Sequence, residues 1–183
     1  MQKNIRLLAL AIVILCVLVG LWFLLRVPPS PAPQPQPMAE VFHPDPRTKT
    51  FHCIIQGPLP DHACTPGAVF DNVAADQVCA EGYAGSVRNV PASEKKAVYA
   101  EYGIPTHQPY EYEVDHHISL ELGGSNDIAN LWPEAAVPAP GFHEKDRVEN
   151  ELHRRVCKGE ITLAEAQKEI SENWMSVYAT LGY

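Results

Sequence analysis

Hydrophobic and polar positions change rhythm several times along this chain. Leu7–Leu25 is an unbroken apolar run without charge, flanked by Lys3 and Arg6 before it and by Arg26 after. At about 1.5 Å per residue, such a helix spans most of a roughly 30 Å hydrocarbon core. Pro28, Pro29, Pro31, Pro33, Pro35 and Pro37 then alternate with Ser, Ala and Gln. That density of proline removes amide donors and favours an extended, semi-rigid spacer. From Met38 to about Gln56 the chain is polar and Pro-interrupted, which predicts a loosely packed lead-in. Residues 57–92 mix Gly, Pro, Cys and short apolar clusters with no sustained period, predicting loops and short helical turns.

Regular periods appear further on. Ala92–Tyr102 reads as a helix, with Ser93 as N-cap and Gly103 as its stop. Glu113–Leu120, rich in Val, Ile and His, predicts a strand. Gly123-Gly124 with Asn126-Asp127 supplies a turn, and Ile128–Trp132 is a second short strand. Pro133–Pro140 holds three prolines and reads as a loop. A helix follows over Phe142–Cys157, ending at Gly159, with Val148, Leu152, Arg155 and Val156 on one face. Another runs from Leu163 to Leu181. Thr162 and Glu165 form a capping box at its start, and Leu163, Ala166, Ile170, Trp174 and Val177 form its buried stripe.

These patterns divide the chain into residues 1–26, a cytoplasmic N-terminus and transmembrane anchor; 27–56, a Pro-rich linker and lead-in; and 57–183, one modest globular domain. The basic residues before the apolar run outweigh Arg26, which predicts a cytoplasmic N-terminus with the remainder across the membrane. A cleaved signal peptide is the rival reading. Against it, the run is longer than a typical signal core and leads into Arg26-Val27-Pro28-Pro29 rather than small residues. Cys53, Cys64, Cys79 and Cys157 all lie beyond the anchor. An even set in a small exported domain predicts two disulfides, with three connectivities open. A zinc site built from the four thiolates is the alternative, but no C-x2-C pair is present.

Charge changes the picture. The formal net charge is −8, and three of the 14 basic residues but none of the 22 acidic ones fall in residues 1–38. The exported part therefore carries −11. A nucleic-acid binder usually presents a basic face. Lys145, Arg147, Arg154, Arg155 and Lys158 cluster after His143 and are the candidates for a local one.

The chemistry-bearing residues lie in Asp115–His143. Hydrolysis of a phosphodiester needs charge neutralisation at the phosphate, a base that activates water, and stabilisation of the leaving oxygen. Asp115 is a hard oxygen ligand suited to Mg2+ or Mn2+. His116, with an ordinary pKa of about 6.5, is able to accept a proton at neutral pH. Asn130 is placed to hold the Gly-rich loop closed, and His143 opens the following helix as a second metal ligand. Strand alternation sends Asp115 and His116 to opposite faces. A shared site therefore demands a bulge or a metal at the strand edge.

Asp115-His116, Gly123-Gly124, Asn130-Leu131-Trp132 and His143 resemble the His-Asn-His (HNH) endonuclease motif. The segment from His143 to His153 also looks like a bacterial exported subfamily. The resemblance covers roughly residues 57–178. It implies an α+β fold with a small ββα-metal core, additional helices and disulfides behind an N-terminal transmembrane helix. It further implies Asp115 and His143 as metal ligands, His116 as general base and Asn130 as the loop-fixing asparagine. The implied cofactor is a divalent ion, Mg2+ or Mn2+ ahead of Zn2+ or Ni2+. Recurrence within the subfamily pairs Cys79 with Cys157, leaving Cys53 with Cys64. Two positions depart from the pattern. His117 stands where an aliphatic residue is usual, which makes it a rival base to His116, although the spacing to the glycines favours His116. Ser119 stands where proline is common.

The resulting expectation is a metal-dependent endonuclease cutting DNA, double-stranded and with little sequence preference. It would be held by a single span in a bacterial inner membrane with its C-terminal domain in the periplasm. Arg147 and Arg154 would position phosphate. His117 is read as packing, and His153 as a solvated surface residue. The competing expectation is a non-catalytic, disulfide-stapled envelope module with a structural metal site.

Overall fold

Two short strands set between helices organise the chain. The computed structural model describes residues 41–182, which belong to one compact unit. The anchor expected at Leu7–Leu25 and the Pro-rich spacer lie outside the described residues. Among the described residues, no helix is long and apolar enough to cross a membrane.

The architecture is α+β. In order come α1 (Ala75–Val78), α2 (Tyr83–Val87), α3 (Ala92–Glu101), β1 (Tyr112–His116), β2 (Leu131–Ala135), α4 (Phe142–Cys157) and α5 (Leu163–Tyr178). Two 3-10 turns, Leu120–Leu122 and Ile128–Asn130, lie between the strands. β1 and β2 pair antiparallel, with Asp115 opposite Trp132 and His116 opposite Leu131.

Side-chain caps explain why the strands end where they do. Ser119 accepts a hydrogen bond from the Glu121 amide and starts the first 3-10 turn, so β1 stops at His116 rather than Leu120. Asp127 does the same for the second turn through the Ala129 amide, so β2 begins at Leu131 and takes in Pro133. A proline fits there because both strands of a two-stranded sheet are edges. The Gly-Gly turn is steric. A Cβ on Gly124 would sit 1.8 Å from the Ile118 carbonyl oxygen. Gly123 has φ +74° and would meet Val73 at 2.6 Å. α3 is capped by Pro91 rather than Ser93. The Thr162–Glu165 capping box forms as its sequence pattern predicts.

Two apolar clusters flank the hairpin. Val148, Leu152 and Val156 of α4 pack with Ala166, Ile170, Trp174 and Val177 of α5 and with Ile118 and Leu122. Leu131 and Trp132 pack instead with Val98, Tyr102, Cys53 and Cys64. The stretch expected as a loose lead-in is tied into the second cluster. The Thr48 and Lys49 amides donate to Ala63 O, the Cys53 amide donates to Glu101 O, and Arg47 pairs with Glu101. Cys53 is bonded to Cys64, and Cys79, at the end of α1, to Cys157, at the end of α4.

Candidate active site

Asn130 locks the loop between the strands. Its Oδ1 accepts from the Ile118 amide at 2.8 Å, and its Nδ2 donates to Ile118 O at 2.9 Å and Ser125 O at 2.8 Å. The side chain is fully buried, so every bond it makes replaces one that water would otherwise supply. The turn is thereby held to the segment leaving β1.

Asp115 and His116 diverge from this frame. The strand register runs unbroken through both, with no bulge. Asp115 faces α4, where Oδ2 accepts a hydrogen bond from Lys145 Nζ at 2.7 Å. Lys145 is 0% exposed and also donates to His116 O at 2.8 Å and to Glu149 Oε1. A third carboxyl, Glu134 on β2, lies 3.8 Å from the same ammonium. Lys145 was expected on a basic face; it is instead the centre of a buried ionic cluster. It shares the apolar stripe of α4 with Val148 and Leu152, three and seven positions on.

The cluster balances its own charge. Burial pushes Lys145 down, but Asp115, Glu149 and Glu134 outweigh it and hold the ammonium well above its ordinary pKa. Burial pushes Asp115 up, and the charge and hydrogen bond of Lys145 overcome that, leaving it below the usual carboxylate range. Burial raises Glu134 well above its ordinary value, helped by the nearby Asp115 charge. No N–H or O–H of the described residues bonds to Glu134. Asp115 is the acid placed to share a proton with it. Burial likewise lifts Glu149 to about 7, and Ser119 Oγ donates to it at 2.8 Å. One ammonium thus faces an acid held below the usual range, one raised well above it and one raised to about 7. That is how a buried ion cluster avoids stranding charge.

His116 is 2% exposed, and its Nε2 lies 3.2 Å from Asn126 Oδ1. Asn126 donates from Nδ2 to Val87 O and accepts at Oδ1 from the Asn89 amide, which fixes the orientation of its amide. His116 therefore donates from Nε2 and carries its basic lone pair on Nδ1. Burial lowers its pKa, so the ring is neutral at neutral pH. His117 points into the core. Its Nε2 donates to Ser171 O at 3.0 Å, its Nδ1 has no partner among the described residues, and burial takes its pKa down to about 3. It packs, with its ring buried away from the cleft, which speaks against His117 as the base.

A cleft of about 470 Å3 opens beside Asp115, lined by the acidic Glu113, Asp146 and Glu149 and by the basic Arg88 and Lys95. Burial and the Asp115 charge raise both Glu113 and Asp146. His143 is exposed, packs edge-on against Phe142 with centroids 4.4 Å apart, and lies close enough to Glu113 and Asp146 to bear on their ionisation. Asp115 and His143 do not join a compact ligand group. Among the described residues, only Cys79, His153 and Cys157 bring three His, Cys, Asp or Glu ligand atoms within 4.8 Å of one another. That group could hold a metal, although its two cysteines are bonded to each other.

The expected basic face on α4 is largely spoken for. Arg154 is held by Glu151 and Glu160, and Arg155 by Glu169, while Arg147 is exposed. His153 is not a solvated residue: it is half-buried and bonded to Val78 O at 3.0 Å. The basic groups that border the cleft are Arg88, just after α2, and Lys95 of α3. Neither the sequence motif nor local charge runs pointed to them. Glu149 lies one turn beyond Lys145 on α4, and Glu134 comes beside them because Pro133 lies in a strand; neither was singled out by the sequence.

No protein-family model matches this chain, and neither a curated protein nor a solved structure matches it.

Proposed function

We propose that the domain is an endonuclease of the HNH type, hydrolysing phosphodiester bonds of DNA with His116 as general base. The observation that carries this reading is the end of β1. There Asn130 pins the backbone, Asp115 is kept ionised by Lys145, and the adjacent imidazole is held neutral in a single tautomer. A phosphate lying across this end meets the two side chains from opposite faces of the strand. His116 Nδ1 takes the proton of the attacking water. Because the ring is nearly buried, substrate must open a path for water to Nδ1 while Nε2 stays bonded to Asn126. Arg88 and Lys95 hold neighbouring phosphates, and their exposure suits a salt-sensitive, sequence-tolerant contact.

The donors on the cleft side of Asp115 suit a hard divalent ion in kind, and the side between Asp115 and α4 is already taken by the Lys145 ammonium. No three of these donors lie within 4.8 Å of one another, so they would have to close around the ion. Glu113, Asp146 and His143 are the further donors available; burial first, and then the Asp115 charge, raises the carboxyls of Glu113 and Asp146. Mg2+ or Mn2+, which keep several waters and need few protein oxygens, match such a loose set. When bound, the ion supplies positive charge at the scissile phosphate. The two disulfides agree with an oxidising compartment, and with a periplasmic domain tethered to the inner membrane through Leu7–Leu25.

Plasmid nicking by the purified chain in Mg2+, Mn2+ or EDTA tests the reading. Nicking should require the metal and disappear in His116→Ala. Undiminished cleavage by that variant removes His116 from the chemistry. Absence of nicking under every condition favours the non-catalytic envelope module.

A further inference from the structure

The Cys79–Cys157 bridge has a histidine beside it that the active-site reading does not use. His153 lies one turn before Cys157 on α4, with Nε2 3.4 Å from Cys157 Sγ. The ligand atoms of Cys79, His153 and Cys157 all fall within 4.8 Å of one another. A second observation points to the same place. Glu121 Oε2 is buried with no hydrogen-bond partner among the described residues, and Glu121 lines the same 310 Å3 hollow as Cys79 and His153. An acceptor without a donor in the hollow that Cys79 and His153 line is what a cation would satisfy. The two disulfides also differ in access. Cys157 is exposed and Cys79 half-buried, whereas Cys53 is 5% and Cys64 0% exposed.

We propose that reduction of the Cys79–Cys157 disulfide converts this corner into a Zn2+ site, with Cys79, Cys157 and His153 as ligands and Glu121 or water as the fourth. A dithiol or phosphine supplies the two electrons. With a dithiol, its thiolate attacks one sulfur of the bridge, a mixed disulfide forms, and the second thiol resolves it. The dithiol leaves oxidised and both cysteines leave reduced. Zinc then binds the two thiolates, and their protons pass to solvent. The imidazole proton moves from Nε2 to Nδ1, which frees Nε2 for the metal and gives up the bond to Val78 O. Two sulfurs, a ring nitrogen and an oxygen make a tetrahedral set suited to zinc rather than to Mg2+. The metal thus replaces one covalent tie between α1 and α4 with another. This site is separate from the cleft beside Asp115 and does not depend on the nuclease reading.

Co2+ is the probe. The full chain, reduced anaerobically with a phosphine, should bind one Co2+ with a thiolate-to-cobalt charge-transfer band that Zn2+ displaces. The oxidised chain should show no band. His153→Ala, which leaves both disulfides available for folding, should weaken Co2+ binding by roughly tenfold or more, since losing even a ligand's hydrogen-bond partner costs that much. Alkylation mapping should find Cys79 and Cys157 modified ahead of Cys53 and Cys64, and protected by Zn2+. The proposal is overturned by a reduced chain without the band, by undiminished affinity in His153→Ala, or by an equal band in Cys79→Ser/Cys157→Ser. A reduced chain that loses its circular dichroism and does not recover it with Zn2+ also overturns it.

Discussion

Lys145 Nζ donates to Asp115 Oδ2 at 2.7 Å from a position with no solvent exposure. The carboxylate that the motif marks as a metal ligand is therefore neutralised in part by the protein's own cation. The pair links helix α4 to strand β1 and sets the charge of everything around it.

Replacing Lys145 by Met keeps the stem and removes the charge. Asp115 and Glu149 are then left without their shared counter-ion, and stability should fall by about 3–5 kcal/mol at pH 8, as for other broken buried pairs. The loss should shrink at pH 5, below the value of about 7 to which Glu149 is raised, where that acid is neutral. Urea unfolding at the two pH values checks this. Adding Glu149→Gln to Lys145→Met should recover part of the loss at pH 8.

Asn130→Ala removes three hydrogen bonds at a fully buried position and strands the Ile118 amide. Each unsatisfied buried group costs about 1–3 kcal/mol, so denaturation should show a total loss of at least about 2 kcal/mol. Hydrogen exchange should localise the loosening to residues 117–130. A loss confined to the helices would assign Asn130 no part in holding the loop.

His117 gives the domain an acid sensitivity. Burial, then the Lys145 charge, take its pKa down to about 3, against an ordinary value of 6.5. Between those values the unfolded chain binds a proton that the native one refuses. Its contribution is therefore fully present above about pH 6.5 and is lost progressively as pH falls, by up to about 1.4 kcal/mol per pH unit. Glu149 works in the opposite sense: because it is raised to about 7, its effect lowers stability as pH rises from the ordinary value of 4.5. His117→Gln should flatten the acid side of the stability profile; an unchanged slope would place the sensitivity elsewhere.

If His116 is the general base, the acid limb of the nicking rate should inflect below pH 6.5, because burial lowers its pKa. Asn126→Asp places a carboxylate against the Nε2–H of His116 and should move that limb to higher pH. A limb indifferent to Asn126→Asp would separate the titration from His116.

How much of this was legible beforehand depended on the range of each interaction. The two long helices and the capping box at Thr162 rest on a repeating period or on bonds between near neighbours. The Gly-Gly turn and Asn130 were legible from residue type and motif order, although Gly123 packs against Val73 and Asn130 bonds to Ile118. Strand ends were misjudged because single side chains, Ser119 and Asp127, diverted the backbone into 3-10 turns. The lead-in looked loose because its partners, Ala63 and Glu101, lie many residues away.

Sequence alone determined the helices, the turn and the run of chemistry-bearing residues from Asp115 to His143, since periodicity, capping and glycine sterics act locally. Only the tertiary structure decided that Lys145 is buried, that Glu134 and Glu149 surround it, and that Arg88 and Lys95 border the cleft. Those facts depend on which faces of β1, β2, α3 and α4 meet. A charged side chain reads as solvated until packing brings it the partners that make burial tolerable.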